Sequence, residues 1–225
     1  MSPQRLQRAR GQLLEWFSKY RRDLPWRQTR DPFKILLAEF LLKLTPYWKA
    51  VRAFNVLVRR YPSPQALARA RVRDLEPIIR PLGLLHRAKA LPAVGMALVR
   101  DHGGVVPDRR EALDRLPGVG RYIAGAVLCF AFGRESALVD STTARFYQRF
   151  FGLAQGSGSA ADRETLWAAA RRFVGRGRAR NLNLAVIDLC SMVCKFGRPR
   201  CQVCPVSSAC FYYSVIGERK ALTRF

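Results

Sequence analysis

A chain of 225 residues, 49% hydrophobic and 25% charged, is long enough for one or two domains with a sizeable core. No apolar run reaches the ~18–20 residues of a membrane span, and the amino-terminal "MSPQRLQRARGQLLEWF" has amphipathic spacing rather than the continuous apolar stretch of a signal peptide. Forty Lys and Arg against sixteen Asp and Glu leave a net charge of +24, a self-repelling surface that suits a polyanionic partner. The competing reading is an arginine-rich compositional bias. A membrane surface fits less well, because no basic helix with a large aromatic face stands out.

Helical periodicity dominates in chain order. Residues 4–20, with Leu6, Leu13, Leu14 and Phe17 on one stripe, read as the first helix, and 32–44 and 46–61 as the next two. Asp31-Pro32 and Thr45-Pro46 supply a cap and a first-turn proline. "YPSPQAL" opens a short helix, followed by helical segments over 84–101, 121–132, 141–151, 162–174 and 181–193. "HGGVVP" is too short to build a sheet, and "AQGSGSAAD" at 154–162 reads as a surface loop. No period of 20–50 residues recurs, which excludes a solenoid. The fold class expected is all-α.

"LPGVGRY" at 116–122 sits between "DRREALDRL" and "RYIAGAVLCFAF", so a tight, uncharged turn joins two helical segments. Gly118 and Gly120 can take positive φ and put no Cβ in the way. Backbone N–H groups at the start of the second helix can then hold an anion such as a DNA phosphate, with Arg121 adding charge beside it. The alternative is an ordinary helix–turn–helix connection.

Cys129 and Cys190 stand in apolar helical runs and read as packing residues. The other four cysteines crowd into "CKFGRPRCQVCPVSSAC": Cys194, Cys201, Cys204 and Cys210, spaced C-x6-C-x2-C-x5-C. With no secretion signal a disulfide framework is disfavoured. Four thiolates can supply all the protein ligands of a [4Fe–4S] cluster. Structural zinc is the alternative, though it more often uses two short arms of C-x2–4-C. Lys195, Arg198 and Arg200 in the first loop would offset the charge of a thiolate-ligated cluster and could face DNA phosphates.

The hairpin "LPGVGRY", Asp140 in "ALVDSTTARF" and this cysteine spacing occur together and in that order. The combination resembles the helix-hairpin-helix DNA glycosylases of the endonuclease III and adenine glycosylase group, over nearly the whole chain from Leu24 to Tyr213. The resemblance implies two helical domains. Residues 31–135 would form a six-helix barrel carrying the hairpin, and 1–30 with 136–225 a helical domain bearing the iron–sulfur loop. Duplex DNA would cross between them with one nucleotide flipped out. It also implies a monomer working in the cytoplasm on nucleoid DNA, with no membrane association.

Roles follow by matching positions. Asp140 matches the catalytic aspartate, whose carboxylate stabilises the positive charge that grows on the sugar as the N-glycosidic bond breaks. It could instead serve only as the cap of helix 141–151, or as both, and the "STT" after it departs from the family's usual neighbours. Tyr122 stands where the strand-cleaving members carry a Schiff-base lysine, and a phenol forms no imine; a pocket-rim packing role is the alternative. Glu39, among Ile, Leu and Phe in "PFKILLAEFLLKLT", matches a glutamate that donates a proton to the leaving base, unless it is simply exposed or paired. Lys43 and Leu44 match the loop inserted into the duplex, and Leu85 the second wedge, with His86 and Arg87 near the backbone. Arg145 is assigned to DNA as well.

The most similar branch removes thymine or uracil opposite guanine and leaves an abasic site. Adenine glycosylases acting opposite guanine or 8-oxoguanine are the alternative. They usually add a carboxy-terminal domain, which a chain ending at Phe225 would not hold, and carry paired glutamines where Lys43-Leu44 stand. A glycosylase for another damaged base, and a non-catalytic module that binds damaged DNA, stay open.

Overall fold

The computed structural model describes residues 1–42, 45–83, 85–154 and 159–215. Every regular element among them is helical, and no strand occurs. The chain divides into two compact units, Met1–Arg22 with Glu135–Phe225, and Asp23–Arg134.

Within the Asp23–Arg134 unit, α2 (Pro32–Leu42) is the central helix. It is buried on all sides from Ile35 to Leu41, as expected of a helix with almost no polar face. The unit also holds α3 (Tyr47–Arg60), α4 (Pro64–Ala68), α5 (Val72–Ile79), α6 (His86–His102), α7 (Arg110–Asp114) and α8 (Arg121–Phe130); α3 and α8 pack against α2, α4 and α5 against α6, and α7 against α8. Each fully buried leucine or phenylalanine contributes roughly 1.5–3 kcal/mol, so α2 and the apolar α8 supply much of this core. Trp26, in a 3-10 turn before α2, packs edge-on against Phe54 of α3 with ring centres 5.3 Å apart, which draws residues 23–30 into the unit. The sequence reading has no helix at α5, which carries Pro77 inside it. Leu75 and Ile79 are fully buried all the same, and packing overrides the missing N–H. Gly95 lets α6 approach α4: a Cβ there would fall 2.5 Å from the Ala68 backbone nitrogen.

The other unit contains α1 (Pro3–Tyr20), α9 (Ser141–Phe151), α10 (Ala160–Val174) and α11 (Ala179–Met192), followed by two 3-10 turns in the cysteine segment. Its core is aromatic. Phe146 and Phe150 of α9 each stand edge-on to Phe173 of α10, with ring centres 5.0 Å apart. Leu6, Ala9, Leu13 and Phe17 bury the apolar face of α1. Just beyond α1, Arg22 Nε donates to fully buried Asp188 of α11 at 2.6 Å. Losing the Arg22 side chain would take this charged hydrogen bond from a fully buried carboxylate, at a cost of about 1.5–3 kcal/mol. Helix α10 begins at Ala160 rather than 162 because Ser159 and Asp162 form a capping box.

Candidate active site

The hairpin is real and its two glycines do different work. Leu116 and Val119 bury the turn, and the Val119 N–H donates to Leu116 O at 3.1 Å. Gly118 takes φ +75°, and a Cβ there would meet the Phe40 ring at 3.0 Å, so the turn closes down on α2 beside Glu39. Gly120 does not adopt positive φ as expected. It is the N-cap of α8 with extended backbone, φ −100° and ψ −179°. Its missing side chain leaves open space, with no atom within 4 Å of a Cβ position, and no side-chain cap covers the first turn of α8. A phosphate could approach that helix end closely. Arg121 is exposed there and Tyr122 is half-buried.

Glu39 is buried, 5% exposed, in the middle of α2, which removes the exposed alternative. Leu85 and His86 are exposed where α6 begins. Arg87 is not on the surface: it is 2% exposed and donates from Nη1 to Leu41 O at 2.9 Å and to Thr45 Oγ1 at 3.1 Å. Burial pulls its guanidinium below the ordinary arginine value. Its task is to brace the end of α2 against the start of α6. Lys43 and Leu44 lie outside the described residues.

Asp140 is the N-cap of α9, half-buried and in extended conformation. Its Oδ1 accepts from the Thr142 N–H at 3.0 Å, the Thr143 N–H at 2.7 Å and Thr143 Oγ1 at 2.9 Å. Thr143 Oγ1 in turn accepts from the Asp140 N–H at 2.9 Å, closing a capping box. The "STT" that departs from the family thus fixes the aspartate. One oxygen is held by three donors, while Oδ2 accepts no hydrogen bond from the described residues. The segment leading to it is held by Asn183 of α11, which donates to Ser136 O at 2.7 Å and accepts from the Leu138 N–H at 3.1 Å.

Arg145 is half-buried and bonded to the protein. Its Nε donates to Cys194 O at 3.0 Å and its Nη2 to Cys190 O at 3.5 Å, so it braces the end of α11 against α9. One turn later, Arg149 Nη1 lies 3.6 Å from Cys194 Sγ and 2.7 Å from Lys195 O. Cys194, Cys201, Cys204 and Cys210 all line one cavity, together with Arg149 and Arg200. Burial pushes the Cys204 thiol up to about 12 and raises that of Cys210. Among the described residues, no three His, Cys, Asp or Glu side chains converge on a single-ion site. Cys129 and Cys190 are buried in helices, as their apolar context implied. Sequence reasoning missed Asn183 and Arg149, whose partners only folding brings together, and Thr143, because the sequence signal for a capping box is Glu or Gln at the third helical position.

A helical hairpin with a capped aspartate and a four-cysteine segment defines a helix-hairpin-helix protein. The sequence pattern of the HhH-GPD superfamily of base excision DNA repair proteins matches residues 40–171, and the chain belongs to that superfamily. It is 38% identical over 214 residues to a thymine-DNA glycosylase of Aeropyrum pernix, covering 93% of this chain and 96% of that protein. It is 37% identical over 196 residues to an adenine DNA glycosylase of Mycobacterium tuberculosis, covering 86% of this chain and 64% of that one. A solved structure of a thermostable thymine-DNA glycosylase superposes with a TM-score of 0.86 at 31% identity, covering 94% of this chain and 98% of that one. Among the described residues no helix is long and apolar enough to cross a membrane.

Proposed function

We propose that the protein is a monofunctional DNA glycosylase of base excision repair that removes thymine or uracil mispaired with guanine. The observation that carries the chemistry is the division of labour at Asp140: Oδ1 is locked by the helix cap and Oδ2 is left for substrate. Likeness to a thymine-DNA glycosylase over nearly the full length of both chains supports the substrate.

In this reading the target nucleotide leaves the stack, at lower cost from a wobble pair than from a matched one. The bond between the sugar C1′ and the base nitrogen breaks, and its electron pair leaves with the base. Buried Glu39 hands the base a proton. The Asp140 carboxylate faces the cationic sugar, and water adds to C1′ and loses a proton. The product is an abasic site. Tyr122 supplies no amine, so the strand is not cut. Gly118, Gly120 and Arg121 hold a neighbouring phosphate, and Lys43, Leu44 and Leu85 fill the gap. One copy of these residues suffices for one flipped base, which makes a monomer the working unit, on nucleoid DNA.

A [4Fe–4S] cluster held by Cys194, Cys201, Cys204 and Cys210 belongs to the same proposal. Four thiols lining one cavity, with the Arg149 cation against Cys194, match the ligand number and negative charge of a thiolate-held cubane. When bound, it would tie down the cysteine segment. The adenine reading keeps one observation in its favour, the 37% identity to an adenine DNA glycosylase.

A labelled duplex with one G·T, G·U or A·8-oxoguanine pair, treated with alkali after incubation, tests the reading. We expect cutting at G·T and G·U, and only after alkali. Cutting at A·8-oxoguanine alone would select the adenine activity, and tight binding without release would make the chain a binding module. The Tyr122→Lys variant is expected to gain a borohydride-trapped adduct with the sugar. No adduct on a folded variant would remove Tyr122 from the reacting centre.

A further inference from the structure

Phe196 is 89% exposed, more than any other large apolar side chain among the described residues. Single exposed apolar residues are common and by themselves mean little. Two further observations set this one apart. First, the ring is held out by a braced backbone. Arg149 donates to Lys195 O at 2.7 Å and to Gly197 O at 3.4 Å, gripping the chain on both sides of Phe196. Gly197 turns at φ +69° directly after it. Second, the surroundings are cationic. Lys195, Arg198 and Arg200 are exposed on the same loop, and no acidic residue occurs from Leu189 to Gly217.

A ring set between cations matches one kind of surface in particular. The edge of a DNA duplex alternates phosphates with the C–H faces of deoxyribose, so cations meet the former while an aromatic ring covers the latter. An acidic protein could satisfy the cations, but the chain's family already supplies a polyanion of this form. We propose that Phe196 is a DNA-contacting residue, its ring packed on the deoxyribose edge of the duplex between phosphates neutralised by Lys195 and Arg198. The proposal rests on the DNA glycosylase reading above and adds an apolar contact to a loop whose charges alone would give only salt-dependent affinity.

The test is binding of the full, cluster-loaded protein to a fluorescein-labelled duplex carrying a stable abasic-site analogue, measured by anisotropy over a range of salt. Phe196→Ala is expected to weaken binding about fivefold, the low end of what an aromatic ring stacked on a base contributes, with the salt slope unchanged. Arg198→Ala should weaken binding and also flatten the slope by about 0.9. Phe196→Leu, which keeps apolar bulk, should fall between parent and Phe196→Ala and serves where the alanine variant does not fold. Parental affinity in the folded Phe196→Ala variant, or in the leucine variant where only that folds, would overturn the proposal. So would a slope change equal to that of Arg198→Ala, since the ring would then act only by placing the cations. A parent protein with no affinity for the duplex would overturn the glycosylase reading itself.

Discussion

Asp140→Asn is expected to lower base release at least about a hundredfold, the scale seen when one preorganised charge-stabilising group is removed, while the protein stays folded. The reasoning is local. An asparagine Oδ1 can accept the same three hydrogen bonds that the carboxylate takes from Thr142 and Thr143, and asparagine caps helices about as well as aspartate. What disappears is the negative charge, together with the second oxygen. Binding to an abasic or mismatched duplex should stay within roughly tenfold, because phosphate contacts dominate affinity. Asp140→Ala separates the two duties, since it removes charge and cap together. It should cost about 1 kcal/mol of stability and, for a chain of this size, lower the melting temperature by roughly 2–4 °C. Base release and duplex binding by single-turnover gel assay, with melting followed by circular dichroism, check all three. Parental release from Asp140→Asn would end the catalytic assignment and leave Asp140 a cap alone.

What was legible in the sequence was legible because it is local. A cap, a first-turn proline or a glycine turn acts over a few residues, so the starts of α2 and α9 and the hairpin could be read directly. The capping duty of Asp140 is legible for the same reason, and the structure shows that the cap is made; its catalytic duty is implied only by the family resemblance. The cysteine segment was legible as spacing. Its bracing was not, because Arg145 and Arg149 reach Cys194, Lys195 and Gly197 across more than forty residues of sequence. Arg87 shows the same limit in reverse. In "LGLLHRAKAL" it looks like one more surface cation, and nothing nearby reveals that the Leu41 carbonyl and Thr45 hydroxyl will draw it inside. Two glycines around one valine suggest two left-handed residues. Only Gly118 takes that conformation, and what Gly120 offers is the space it leaves.

Cys204→Ser tests the proposed cluster and carries the largest expected loss of fold. The cysteine segment has little to hold it otherwise: two three-residue 3-10 turns, with Val206 and Ala209 as its buried apolar side chains between Cys201 and Cys210. Its described ties to the rest of the unit include Arg5 Nη2 to Ser208 O at 2.8 Å and the bonds of Arg145 and Arg149. Metal binding of this kind is itself folding free energy, on the order of 10 kcal/mol for structural sites, more than those hydrogen bonds supply at about 1 kcal/mol each. The parent should therefore be yellow-brown with broad visible absorbance and about four irons per chain. Cys204→Ser should lose the colour, aggregate or melt far below the parent, and expose residues 195–214 to protease. Cys129→Ala, at a buried cysteine of α8 that does not line the cavity, should keep both colour and iron. That control separates loss of a ligand from loss of any buried thiol. A Cys204→Ser protein with the parent's spectrum and iron content would defeat the assignment. A colourless parent carrying one zinc would replace the cubane with a single ion and require the four thiols to close on one point.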